Sequence, residues 1–216
     1  MGHFIYALIE NLINTDYKIA IESGTLAGHG SSLLSEYFEK VYTIEIDENL
    51  FNIAKERLKN NKKVICLHGD SKIVLPKLLD DDDINIQNEN IVFWLDAHWS
   101  GDSSVDWEKS NWKGYNIDTG YVGEKINKIV PGPNQVPLEE EIYQIYHNCR
   151  KECILYIDDF NKINLKTLKG LKNIGFVGED YSHLDFNKIF NYIDDRIIYK
   201  NIDHDYCILK FKSLNN

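Results

Sequence analysis

Acids close almost every apolar, β-rich run in this chain. Glu22 ends KIAIE, Glu45 ends VYTIE, Asp70 ends VICLHGD, Asp96 ends IVFWLD, and the pair Asp158 and Asp159 ends CILYIDD. If those runs are strands of one parallel sheet, the carboxylates gather at its carboxyl edge, where such sheets bind ligands. Carboxylates brought together repel one another unless a cation or protons separate them. Asp96, Asp158 and Asp159 are candidate ligands for a divalent metal, and hard oxygen donors with open positions suit Mg²⁺. His98 lies two residues after Asp96 and so faces the same side of an extended chain. It is the candidate general base, with Asp96 beside it as the second candidate catalytic residue.

The glycine-rich stretch IAIESGTLAGHGSS, Ile19 to Ser32, supplies a second kind of site. An apolar run ends in Glu22, a turn carries Gly24, Gly28 and Gly30, and Ser31 and Ser32 open a segment with apolar Leu33, Leu34, Tyr37 and Phe38. Strand, glycine turn and helix start, in that order, let backbone approach a ligand closely and point helix amides at it. A nucleotide-like cofactor is the expected occupant. The spacing G-x-x-x-G-x-G also opens dehydrogenase folds, so the turn alone does not choose among cofactors.

These residues need a scaffold that brings distant strand ends together. The runs Lys18 to Glu22, Val41 to Asp47, Val64 to Asp70, Ile91 to His98 and Cys153 to Phe160 read as strands buried on both faces. Helical patterns fall between them: Gly30 to Phe38, a segment capped by Asp47, Ser71 to about Leu79 with Pro76 inside, and a helix from Leu138. The alternation predicts a doubly wound, mostly parallel α/β sheet. Leu165 to Leu171 and Asp185 to Ile193 read as short helices. Arg196 to Asn201 and Tyr206 to Phe211 read as a closing antiparallel hairpin, which brings the strands to seven. A single domain over residues 1–216 is expected.

Between Trp99 and Gln135 the rhythm breaks, and residues 99–135 are expected to form a lid or acceptor-binding insertion. Trp107, Trp112, Tyr115 and Tyr121 offer flat faces there that can pack on a sugar ring or an aromatic acceptor, or fold the loop onto the body.

Composition narrows the partners. Twenty-four Lys and Arg against 34 Asp and Glu give a net charge of −10. An acidic field repels phosphate backbones, so no nucleic acid is expected and a small, weakly charged substrate is. Cys66, Cys149, Cys153 and Cys207 form no C-x-x-C pair, which fits reduced thiols in a cytoplasmic protein. A strand start between Cys149 and Cys153 is expected to keep that pair apart. The opening MGHFIYALIENLI is too short for a membrane span and lacks a basic leader, so a first amphipathic helix and no membrane partner are expected. Self-association into a homo-oligomer stays open.

ESGTLAGHG, YTIEIDENL, HGDS, LDAHW and IDDF, in that order over Lys18 to Phe160, together resemble the class I S-adenosylmethionine-dependent methyltransferases. Within that class the motifs are similar to the metal-dependent O-methyltransferases of the catechol and macrocin-type sugar kinds. The resemblance implies a Rossmann-like fold and S-adenosylmethionine as cofactor. It implies that Glu45 takes the ribose hydroxyls, that Ile46 packs on adenine, and that Asp70 and Ser71 face the adenine edge. Gly24 and Gly28 would reach the methionine part, with Glu22, Ser31 and Asp96 nearby. It also implies a metal on Asp96 and the Asp158, Asp159 pair, which is Asp-Asp as in the sugar-directed enzymes. The departure is at the base: the catechol enzyme has a lysine where this chain has Trp99, and the sugar enzymes have an acid in the place of His98. The expected reaction is methyl transfer to a hydroxyl of a sugar or other small polyol, a phenol coming second. Two rivals remain: a dehydrogenase using NAD, with Tyr121 and Lys125 as a Y-x-x-x-K match, and a subunit that binds S-adenosylmethionine without turnover.

Overall fold

Five strands carry the apolar runs: β1 (Tyr17–Ser23), β2 (Lys40–Glu45), β3 (Val64–His68), β4 (Asn90–Leu95) and β5 (Cys153–Ile157). All are nearly unbroken in burial except β3, which lies at the sheet edge and is only half-buried, short of the burial on both faces expected of it. The computed structural model describes residues 16–81, 84, 86–98, 136–174 and 179–214. The expected first helix and the Trp99 to Gln135 insertion, with its Trp and Tyr residues and Lys125, lie outside the described residues. Helices α1 (His29–Tyr37), α2 (Glu48–Leu58), α3 (Ser71–Leu79), α4 (Leu138–Asn148) and α5 (Phe186–Ile193) alternate with or follow these strands. Covering both faces is what lets β4 and β5 be apolar at successive positions rather than at every second one. Leu34 and Phe38 pack with Ala20, Val41, Val92 and Ile154 on one face. Ile19, Ile21, Phe93 and Leu155 face the larger core with α3, α4 and α5.

The short strands β6 (Ile163–Asn164), β7 (Lys169–Gly170), β8 (Lys172–Ile174) and β9 (Glu179–Asp180) form two small antiparallel pairs. The chain closes with β10 (Ile197–Ile202) and β11 (Cys207–Phe211). The main sheet has seven strands in the order β10-β11-β5-β4-β1-β2-β3. Strands β1 to β5 pair in parallel, and β11 is antiparallel to both β5 and β10. The expected mostly parallel, doubly wound sheet with a C-terminal antiparallel hairpin is therefore observed.

From β1 the chain moves outward through β2 to β3, then returns to place β4 on the other side of β1. The winding reverses between β1 and β4, and a crevice opens there at the carboxyl ends. Among the described residues, no helix is long and apolar enough to cross a membrane.

Two expectations need correction. Leu165 to Leu171 is a tight β6–β7 hairpin, not a helix. Asn164 Oδ1 accepts the Lys166 and Thr167 amides at 3.0 and 3.2 Å, and Leu168 takes a left-handed φ of 53°. That side-chain turn competes with a first helical turn, as Asn commonly does. Second, a strand does begin at Cys153, yet it leaves the two thiols neighbours: Cys149 donates to the Lys151 carbonyl at 3.7 Å, and its proximity, after burial, helps hold the Cys153 thiol well above its usual range. Both are free and buried.

Candidate active site at the strand ends

The turn after β1 is pressed against the end of β4. Gly24 has φ +84°, and a Cβ there would stand 2.5 Å from the Asp96 carbonyl oxygen, so the contact closing the crevice floor admits only glycine. Gly28 starts α1 in a left-handed conformation without a side-chain cap, and no acid occupies the helix's first turn. The acid at this helix start comes instead from β1, as Glu22 lies against Gly30 and Ser31.

Glu22 is buried beneath this turn at 3 % exposure. It accepts hydrogen bonds from Ser31 Oγ and, at 2.6 Å, from Thr43 Oγ1. Its carboxylate lies where a Cβ on Gly30 would fall, so Gly30 makes room for the acid. Burial, reinforced by the charges of Asp96 and Glu45 and opposed by the two hydroxyl donors, pushes Glu22 up to about 8. Glu45 is also buried and raised by that burial. Its oxygens accept the Leu26 amide at 2.8 Å and the Asp47 amide at 3.0 Å, which shapes the turn as well as the end of β2. Ile46 beside it is 61 % exposed, an apolar surface open to a flat ring. Asp70 caps α3 by accepting the Lys72 amide at 3.0 Å, and Ser71 is buried next to it.

The second group forms just past β4 and β5. Asp96 donates its amide to the Ser23 carbonyl, and Asp158 donates its own to Leu95, so both follow the sheet register. Asp159 then takes a left-handed φ of 56°, an unusual conformation for a non-glycine residue. His98 Nε2 lies 3.0 Å from Asp159 Oδ2 and 3.4 Å from Asp96 Oδ1. Lys162 Nζ is 2.9 Å from Asp159 Oδ2. Burial would raise Asp159, but the hydrogen bonds and charges of His98 and Lys162 outweigh it and hold the group well below the usual carboxylate range. Asp158 moves the other way, to about 6, through burial and the nearby Asp96 charge. Asp96 is raised by burial against the pull of His98.

Asp96, His98 and Asp159 each offer one donor atom within 4.8 Å of the others, a spacing that could hold a metal ion. The expected set had Asp158 where this one has His98; Asp158 lines the same cleft, with Oδ1 accepting the Asp159 amide at 2.9 Å. Two carboxylate oxygens and one imidazole nitrogen fit a divalent cation, with a larger share for Mn²⁺- or Fe²⁺-like ions than an all-oxygen set has.

A small cleft joins these groups, lined by Asp96, His98, Asp158 and Asp159 together with Glu141 and Tyr181. Glu141 of α4 is fully buried and neither of its carboxylate oxygens has a hydrogen-bond partner. Burial raises it to about 7; the hydroxyls of Ser71 and Ser23 temper this without satisfying either oxygen. Lys162, Glu141 and Tyr181 were not singled out by sequence reasoning. The signal for Glu141 was there: it sits on the apolar stripe of Leu138, Ile142 and Ile145, where an acid is out of pattern.

No family model matches the chain. The rRNA adenine N-6-methyltransferases of Escherichia coli and Clostridium perfringens are each 40% identical to it over 60 residues, 28% of this chain and 24% of theirs. The match spans about a quarter of the length of these curated relatives. Among solved structures, PH0226 protein from Pyrococcus horikoshii OT3 has a TM-score of 0.53 at 11% identity, covering 99% of this chain and 89% of its own. A SAM-dependent methyltransferase from Anabaena variabilis has 0.53 at 14%, covering 98% and 84%. SMU.1697c from Streptococcus mutans, in complex with SAH, has 0.51 at 13%, covering 99% and 97%. At such identities the likeness is one of fold. With its sheet order and glycine turn, the chain has the Rossmann-like α/β fold of the class I S-adenosylmethionine-dependent methyltransferases.

Proposed function

We propose that this chain is an S-adenosylmethionine-dependent O-methyltransferase that acts on a hydroxyl of a sugar or other small polyol with the help of a divalent cation. The observation that carries the reading is the convergence of Asp96, His98 and Asp159 on one cleft beside the glycine turn. A hydroxyl is a weak nucleophile until its proton leaves. His98 is placed to take that proton at an imidazole nitrogen, and Asp159, ionised and fixed by Lys162, orients the ring and stabilises its charged form. When bound, S-adenosylmethionine supplies an electrophilic methyl group, whose bonding pair stays with sulfur as the acceptor oxygen takes the carbon. With His98 as base, the carboxylates Asp96, Asp158 and Asp159 would hold a divalent cation, which would lower the acceptor's pKa. Glu22 and Glu45 lie under the cofactor turn, where a cationic sulfonium would favour their ionised forms. The expected ribose contact of Glu45 and adenine contact of Ile46 remain part of this reading, as do Asp70 and Ser71 at the adenine edge.

The partial likeness to rRNA adenine N-6-methyltransferases favours a second reading, methylation of an adenine amino group in RNA, and it opposes the expectation of no nucleic-acid partner. The net charge of −10 and a cleft walled by carboxylates weigh for the small neutral acceptor.

Transfer of labelled methyl from S-adenosylmethionine to a panel of sugars, phenols and rRNA, with and without chelator, separates them. Methylated sugar, lost on chelation and reduced about 10²- to 10⁴-fold in His98→Ala, is the expected result. Methylation of rRNA alone would replace the sugar reading with the second.

A further inference from the structure

Glu141 is hard to account for as part of the scaffold. The first turn of α4 already carries Glu139 and Glu140, which complement the helix dipole from accessible positions. Glu141 falls instead on the buried stripe between Leu138 and Ile142, with no exposure and no partner for either oxygen. Ser23 Oγ is likewise buried without a partner. A carboxyl group left that way is a standing cost to the fold whether neutral or charged, since buried polar groups are normally hydrogen-bonded. The position makes sense if a ligand supplies the missing partner.

The surroundings say what kind. The carboxylate lines the same cleft as Asp96 and Asp158; the basic side chain of the described lining, His98, is paired with Asp96 and Asp159, and Lys162 is engaged with Asp159. Its other neighbours are Ser23, which closes β1 directly before the glycine turn, and Ser71, which opens α3. Glu141 therefore meets the cleft beside two residues at the ends of elements read above as the cofactor's. A cation is the group this environment lacks.

We propose that Glu141 is a ligand-binding carboxylate that receives the cationic methionine end of S-adenosylmethionine, with Ser23 and Ser71 flanking it. This rests on the methyltransferase reading given above. Substitution should trade binding against stability: removing the acid relieves a buried unsatisfied carboxyl group in the free protein and removes the counter-charge from the complex.

Calorimetric titration of wild type, Glu141→Gln and Glu141→Met with S-adenosylmethionine and S-adenosylhomocysteine, alongside ligand-free thermal melts, tests this. Both variants should melt at or above the wild-type temperature and bind S-adenosylmethionine about tenfold or more weakly. A loss shared by S-adenosylhomocysteine assigns the contact to the ammonium common to both, and a loss confined to S-adenosylmethionine assigns it to the sulfonium; either supports the proposal. Unchanged affinity in both variants overturns it while leaving the methyltransferase reading intact. So does a sharp fall in melting temperature in both, which would make Glu141 a structural group. Wild type that binds neither compound overturns the methyltransferase reading itself, and this inference with it.

Discussion

Glu22 shows how one residue ties the glycine turn to the chemistry below it. Its hydrogen bonds from Ser31 and Thr43 hold the start of α1 to β2, and Thr25 Oγ1 extends the network at 2.5 Å from Thr43 Oγ1. The same burial that makes these bonds strong opposes ionisation, because the facing charges, Asp96 and Glu45, are also acids. The folded pKa of about 8 lies above the ordinary 4.5, so the folded state binds this proton more tightly than the unfolded chain does. That contribution to stability is complete below pH 4.5 and is lost as pH rises through about 8. Full ionisation would remove on the order of 3–5 kcal/mol. Glu22→Gln has no proton to lose. The ligand-free wild type should therefore lose melting temperature between pH 6 and pH 9 more steeply than the variant. Parallel slopes would show that Glu22 is ionised throughout. A cationic cofactor over the turn would favour the ionised acid and lessen the loss.

At the scale of elements, the placement of α4 matters most, because it carries Glu141 to the cleft. Arg196, only 2 % exposed, fixes the far end of that helix. Its guanidinium donates to the carbonyls of Tyr146, Cys149 and Lys212, the last two at 2.9 Å, which joins the α4 terminus to the chain leaving β11. The positive charge also complements the negative end of the helix dipole. Arg196→Met leaves those carbonyls buried and unanswered and should cost about 2–4 kcal/mol in denaturant unfolding. Arg196→Lys should recover little of this, since an ammonium cannot reproduce the planar fork. The strands and helices around this frame were legible because each carries its own local signal: apolar runs for β1 to β5, Asp47 and Asp185 as caps that accept backbone amides. The acids were legible for the same reason, each ending a strand of known direction. What the sequence did not reveal depends on contacts between distant segments or on an unusual backbone. Asp159 has a left-handed φ and pairs with His98, and Lys162 joins through a 3-10 turn that no periodicity announces. The Asn164 turn replaced a helix through a side-chain bond that composition does not distinguish from helix-compatible residues.

The molecule as a whole sets which acceptors reach this cleft. A net charge of −10 is spread over a chain whose site is itself walled by Asp96, Asp158, Asp159 and Glu141, so the local and the global fields have the same sign. A polyanion approaching such a site is repelled, and repulsion weakens as salt screens it over about 10 Å at 0.1 M. A neutral sugar feels almost none of this. A basic groove for RNA would behave oppositely, because phosphate contacts release counterions and affinity falls steeply as salt rises. Salt therefore discriminates the two readings by the sign of its effect. For a sugar acceptor, kcat/KM at 50 and at 300 mM salt should differ by less than about twofold, and an anionic sugar phosphate should react faster at the higher salt. Steady-state methyl transfer with matched neutral and phosphorylated sugars provides the measurement. A rate on any acceptor that collapses by orders of magnitude over the same range would mean that an electropositive surface guides the substrate, and would turn the assignment toward nucleic acid.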